Sequence, residues 1–97
     1  SEEIVIPYIS PLDNKKHRYF PDFIVKVREN NGNHRTKVIE VKPYKQTIPP
    51  EKGKKRKKTY LSECTTYIVN EAKGEAAKEF CRKRDWSFVI LTEKELF

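Results

Sequence analysis

Apolar and polar positions along the chain fall into short alternating runs, followed by one long run of helical period. Glu3-Ile4-Val5-Ile6-Pro7-Tyr8 reads as a first strand, with Pro7 suited to an edge or a strand end. Ser10-Pro11-Leu12-Asp13-Asn14 has turn chemistry. A second strand lies within residues 18–28, starting from Tyr19 or Asp22, and a third spans 36–42. Between them, Asn30-Asn31-Gly32-Asn33 is a turn in which Asn-Gly supplies positive φ angles, so the two strands pair as an antiparallel hairpin. Over residues 60–84, Leu61, Cys64, Ile68, Ala72, Ala76 and Phe80 recur at three- and four-residue spacing, which lays one apolar stripe along a helix. Arg82, Lys83 and Arg84 close it at the negative end of its macrodipole. Gly74 inside it costs about 1 kcal/mol relative to alanine. Residues 86–91 form a last strand, and Thr92-Glu93-Lys94-Glu95-Leu96 a capped helical turn.

The order βββαβ predicts a single α/β domain over residues 1–97: a mixed sheet with a covering helix. The near-continuous apolar run of the last strand predicts an interior position, parallel to the third strand through the helical crossover. Hydrophobic and charged residues each make up 36% of the chain, so the core is small. No apolar run approaches the ~20 residues that cross a membrane, and the opening Ser1-Glu2-Glu3 is no secretory signal. Cys64 and Cys81 sit 17 positions apart on one helix, or ~25 Å at helical rise. That is too far for a disulfide, so both read as reduced core residues. No close cysteine or histidine pair suggests zinc.

The net charge of +7 changes this picture through its location. Residues 42–58 carry eight Lys/Arg and one Glu, and the rest of the chain balances at thirteen of each sign. Three prolines and Gly53 make residues 43–58 an exposed, mobile basic loop. Lys45, Lys52, Lys54, Lys55, Arg56, Lys57 and Lys58 are its candidate contacts to a polyanion, with the phosphates of a nucleic acid the expected partner. Such contacts hold backbone phosphates without reading sequence. The alternatives for this stretch are a solvated, disordered lysine loop and a localisation-type basic patch.

Just ahead of that loop, Glu40 and Lys42 interrupt the apolar run Val38-Ile39-Glu40-Val41-Lys42, and Asp22 interrupts Pro21-Asp22-Phe23-Ile24-Val25. Alternation puts Glu40 and Lys42 on one face, leaving Ile39 and Val41 to fill the core. The hairpin brings Asp22, at the start of its strand, to the Glu40/Lys42 end of the partner. Two carboxylates suit a hard cation, Mg²⁺ or Mn²⁺, with the Val41 backbone carbonyl as a third oxygen ligand. Lys42 then orients water or stabilises charge at phosphorus. Alone, Glu-x-Lys on a strand is an ordinary solvent-facing pattern. The Pro-Asp strand entry, the hairpin and the adjoining basic loop give it a catalytic meaning. His17, the histidine nearer Asp22 in sequence, is a candidate to support the site, whereas His34 reads as a solvated turn residue. Tyr44 and Tyr60 flank the loop as candidates to stack on bases, and Trp86 reads as a core anchor.

Pro21-Asp22 followed by Glu40-Val41-Lys42 resembles the core motif of the PD-(D/E)xK nuclease superfamily. More closely, Tyr8-Ile9-Ser10-Pro11, His17-Arg18-Tyr19-Phe20-Pro21-Asp22-Phe23, Ile39-Glu40-Val41-Lys42-Pro43 and Ile90-Leu91-Thr92-Glu93-Lys94-Glu95-Leu96 resemble the head completion nucleases of T-even-type tailed phages. The resemblance spans nearly the whole chain. It implies a restriction-endonuclease-like fold and a metal-dependent DNA nuclease, endo- or exonucleolytic, that trims DNA before heads join tails. It also implies catalytic roles for Asp22, Glu40 and Lys42, and a supporting polar role for Gln46. Phage head or portal proteins are the implied partners, in the host cytoplasm or the virion. Such nucleases carry an amino-terminal helix before the first strand. This chain opens at or just before that strand, so either Glu2 or Glu3 compensates for the helix's acidic residue or the helix is missing, at a cost to activity and stability. Two other readings of the chain are a non-catalytic DNA-binding or virion-assembly module on the same fold, and a protein-interaction domain whose basic loop docks an acidic partner.

Overall fold

The computed structural model describes residues 4–97. Glu2, Glu3 and the expected start of the first strand at Glu3 lie outside them. Strands β1 (Ile6–Ile9) and β2 (Lys16–Tyr19) pair antiparallel as one hairpin. Strands β3 (Phe23–Arg28), β4 (His34–Val41) and β5 (Ser87–Leu91) form a second sheet in the order β3-β4-β5, with β3 antiparallel and β5 parallel to β4. A 3₁₀ turn at Tyr44–Thr47 follows β4. Helix α1 (Lys57–Arg82) crosses over to β5, and the short α2 (Glu93–Leu96) ends the chain. Among the described residues no helix is long and apolar enough to cross a membrane.

The expected second strand is therefore two strands. Tyr19 pairs with Ile6 while Phe23 pairs with Ile39, and the chain changes partners across Phe20-Pro21-Asp22. Pro21 has no N–H to give a ladder, so the break falls where continued pairing is weakest. The β3–β4 connection follows its Asn-Gly signal, yet only Gly32 takes a positive φ, 85°. The Gly32 N–H bonds the Glu29 carbonyl at 2.9 Å and the Glu29 N–H bonds the Asn33 carbonyl at 2.7 Å, a tight turn followed by a left-handed glycine.

The core lies between α1 and one face of the strands. Ile6, Tyr8, Tyr19, Val38, Ala77 and Cys81 are its buried members, with Val69, Ala72, Ala76, Phe80, Trp86 and Phe88 packed around them. Three sequence expectations need correction here. Val38, not Ile39 or Val41, is the β4 residue that fills the core. Val38 is fully buried, whereas Val41 is 38% exposed on the opposite face with Phe23, Val25 and Val27. Glu40 shares the Val38 face, so a carboxylate points to the helix side. Second, β5 is an edge strand, not an interior one. All five of its residues are half-buried, with Phe88 packed against the core, so its apolar run does not come from having strands on both sides. Third, the helical stripe holds only in the second half of α1, where Ala72, Ala76 and Phe80 pack on the core as expected. Leu61 and Ile68 are about half exposed, and Ala77 and Cys81 are buried in their stead. The 26 residues of α1 span ~39 Å, more than twice the length of a five-residue strand, so its first half runs past the sheet.

Helix α1 ends in a Schellman motif. The Trp86 N–H bonds the Cys81 carbonyl at 2.8 Å, the Asp85 N–H bonds the Arg82 carbonyl at 3.3 Å, and Asp85 takes φ 57°. Glycine is the residue this position favours, because a Cβ crowds the left-handed conformation. Asp85→Gly should therefore stabilise the fold by about 0.5–1 kcal/mol, since the relieved strain exceeds the entropy glycine adds to the unfolded chain. A thermal melt should show Tm a few degrees higher; an unchanged or lower Tm would mean the aspartate is not strained there.

Candidate active site

The hairpin register sets the site. Phe23 pairs with Ile39, which puts Asp22 across from Glu40. Asp22 makes no ladder pair of its own. Its carboxylate Oδ2 accepts the Val41 N–H at 2.8 Å and so closes the β3–β4 edge just past the last pair. On the far side of β4, the Lys42 N–H bonds the Leu91 carbonyl of β5 at 3.0 Å. The Glu40–Val41–Lys42 backbone is thus fixed from both sides.

Glu40 is held from a third element. Tyr19, at the end of β2, donates its hydroxyl to Glu40 Oε1 at 2.5 Å. Burial, then this bond to Glu40 and the nearby Asp22 charge, push the Tyr19 hydroxyl far above its usual pKa. It remains a protonated donor throughout the working pH range. Lys42 is half-buried against α1. Desolvation is the main force drawing its pKa below the ordinary lysine value. Glu40 opposes that shift, Lys73 adds to it, and Glu71 and Asp22 also oppose it. Asp22, Glu40, Lys42, Glu71 and Lys73 therefore share one electrostatic neighbourhood.

Sequence reasoning brought Asp22, Glu40 and Lys42 together but missed Tyr19, Glu71 and Lys73 as neighbours. Lys73 lies over the rings of Tyr8 and Tyr19, 5.9 and 5.8 Å from their centroids. It had a visible signal: it falls between Val69 and Ala77 at four-residue spacing, a cation on the helix face that meets the core. Tyr19 had none, because a tyrosine in a strand looks the same whether it anchors a core or holds a carboxylate.

The other expected site residues separate. Gln46, in the 3₁₀ turn, lines the same small cleft as Lys42, together with Asn70 and Glu71 of α1. That turn is pinned by α2, where Glu93 Oε1 accepts the Tyr44 N–H at 2.8 Å and Lys94 stands 3.4 Å over the Tyr44 ring. His17 is not turned to Asp22; from β2 its Nε2 pairs with Oδ2 of Asp13, in the β1–β2 connection, at 2.8 Å. In the basic stretch, Lys55 bonds Glu63 at 2.7 Å and Lys52 bonds the Lys55 carbonyl at 3.1 Å. Lys54, Arg56, Lys57 and Lys58 are exposed, the last two as the opening residues of α1. Those cations sit at the positive end of the helix dipole, with no acidic residue in the first turn and no side-chain cap. The placement is unfavourable for an isolated helix and favourable for one that meets phosphates.

The donor set fits a hard cation. Asp22 keeps Oδ1 and Glu40 keeps Oε2 beyond their internal hydrogen bonds, and no thiol or imidazole joins them. Among the described residues no cluster of three or more His, Cys, Asp or Glu side chains is gathered for a metal. Two carboxylates with backbone and solvent oxygens suit Mg²⁺ or Mn²⁺, which retain much of their hydration, better than Zn²⁺.

The profile of the TnsA-like endonuclease N-terminal domain matches residues 1–93. The chain belongs to the TnsA-like endonuclease N-terminal family. Its mixed α/β fold, three-stranded mixed sheet and packed helix are the restriction-endonuclease-like arrangement expected of that family. A head completion nuclease of Enterobacteria phage T4 is 40% identical over 100 residues, covering 99% of this chain. This TnsA-like chain spans 64% of the length of that relative. No solved structure matches it significantly.

Proposed function

We propose that this chain is a divalent-metal-dependent DNA nuclease that hydrolyses phosphodiester bonds and trims DNA during phage head completion, before heads join tails. The carrying observation is the strand register that sets Asp22 across from Glu40 at one end of β4, beside a half-buried lysine. The family match and the name of the T4 relative support the reaction class and the setting.

Asp22 and Glu40, with the Val41 carbonyl, are the residues to hold Mg²⁺ or Mn²⁺. A cation there neutralises phosphoryl charge and acidifies water. The chain's own residues do the rest. Tyr19 keeps Glu40 in one rotamer, and the Val41 amide keeps Asp22 in another. Gln46 positions the phosphate or the attacking water from the 3₁₀ turn. The water oxygen bonds to phosphorus, the ester P–O bond breaks, and the neutral Lys42 amine takes the water's proton. The leaving oxygen is protonated by solvent. Lys45, Lys52, Lys54, Lys55, Arg56, Lys57 and Lys58 supply the sequence-independent hold on the DNA backbone.

The test is plasmid cleavage in Mg²⁺, in Mn²⁺ and in EDTA. Nicked or linear product should appear with either metal, vanish in EDTA and return when metal is added in excess. Salt-sensitive DNA binding with no product under any divalent ion would reverse the conclusion in favour of a non-catalytic DNA-binding module.

A further inference from the structure

Next to the Lys42 cleft lies a second cavity of about 190 Å³, between the basic loop and the first half of α1. Lys45, Ile48 and Pro50 line it from the loop, and Ser62, Thr66 and Tyr67 from the helix. Gln46 borders both spaces, so the cavity and the cleft share a wall. The Lys55–Glu63 ion pair ties the loop to the helix at its margin. The composition is that of a nucleotide site. There is an aromatic ring beside aliphatic surface, a cation for a phosphate, and hydroxyl and amide groups for base or sugar edges. Its volume is below the ~300 Å³ at which pockets for whole small-molecule ligands begin, which suits one base, with its sugar and phosphate left outside.

Spacing along α1 agrees. Thr66 and Tyr67 precede Asn70 and Glu71, which line the Lys42 cleft, by four residues. Four residues of helix rise ~6 Å, about the distance between successive nucleotides in an extended strand. The two tyrosines that the sequence offered for stacking are engaged otherwise. Tyr44 is covered by Lys94, and Tyr60 lies beside Cys64.

We infer that the cavity between the 45–55 loop and α1 is a subsite for one unpaired DNA nucleotide, next to the scissile phosphate, with its base against Tyr67. This inference rests on the nuclease reading. It directs the enzyme to frayed or overhanging DNA ends, because a base held in the duplex stack cannot enter.

The experiment measures binding in EDTA, so that cleavage plays no part. The full chain is titrated with blunt duplex, with the same duplex carrying a two-nucleotide overhang, and with that overhang made abasic. 2-Aminopurine in the overhang reports stacking. The overhang should bind about tenfold tighter than the blunt end, the scale of one base–aromatic stack, and the abasic overhang should lose that gain. Tyr67→Ala should bring overhang binding down to the blunt level and leave blunt binding unchanged. Ser62→Trp, which fills the space from the helix side, should do the same if Tyr67→Ala fails to fold. Equal binding of blunt and overhanging ends, or an equal loss on both in the variants, would overturn the subsite. Absence of product in the metal assay would instead overturn the nuclease reading and leave the binding preference untouched.

Discussion

Glu40→Gln and Asp22→Asn should each lower cleavage by at least about 10³-fold while the protein stays folded and bound to DNA. The conservative replacements matter in a chain this small. Asp22 Oδ2 receives the Val41 N–H, and Glu40 Oε1 receives the Tyr19 hydroxyl. Alanine at position 40 would strand the part-buried Tyr19 hydroxyl, at about 1–3 kcal/mol, a large share of the stability of a 97-residue domain, and alanine at position 22 would hand the exposed Val41 N–H to water and free the strand edge. Asparagine and glutamine keep a carbonyl acceptor in place and remove only the charge. DNA affinity in EDTA should stay within about threefold of the parent if, as proposed, the backbone hold comes from Lys45 and the cations at 52–58. Tyr19→Phe should fall between these limits, with a loss of about tenfold, since Glu40 keeps its charge and loses only its tether. Single-turnover cleavage beside equilibrium binding separates the outcomes. Metal-dependent product from the carefully purified double variant would end the assignment of both carboxylates.

The second large effect belongs to Lys42. Lys42→Met should cost 10²- to 10⁴-fold in rate, the range of a lost proton acceptor. Lys42→Arg should fail equally, because a guanidinium offers no lone pair at any working pH. Burial draws the Lys42 pKa down, so the neutral amine becomes available below the usual 10.5. The parent rate should rise with pH toward that depressed midpoint, and neither variant should show the rise. Stability has its own sign. The folded-state pKa lies below the unfolded one, so between the two values the unfolded chain binds more protons and stability increases with pH. Below the folded pKa the buried ammonium weighs against folding. At neutral pH, Lys42→Met should therefore melt at or above the parent temperature while being inactive. An active Lys42→Arg enzyme with a flat profile would recast this residue as a fixed cation.

Much of this site was legible because strand geometry is strict. A two-residue side-chain period and an Asn-Gly turn suffice to place Glu40 with Lys42 and to bring Asp22 opposite them. The parallel return of β5 followed from a long helix between two apolar runs. The same rules did not say which face of β4 meets the helix. Val38/Glu40 and Ile39/Val41 are equally spaced, and only the packing of Ala77 and Cys81 decides between them. The Tyr19 contact and the Lys73 neighbourhood depend on how the β1–β2 hairpin sits under α1, a tertiary fact with no local signature. His17 was misplaced because nearness in sequence to Asp22 is undone by the chain reversal that pairs it with Asp13. The break at Pro21 was written in the sequence, in the Pro-Asp pair that interrupts the apolar run.

That break leaves one carboxylate standing as the final rung of a sheet. A side chain bonded to the main chain of the neighbouring strand has already lost its rotational freedom when the protein folds. It meets an incoming substrate without further ordering, and its free oxygen points along a direction fixed by β-geometry rather than by a mobile loop. Rigidity at this corner of the candidate site is thus inherited from strand pairing itself.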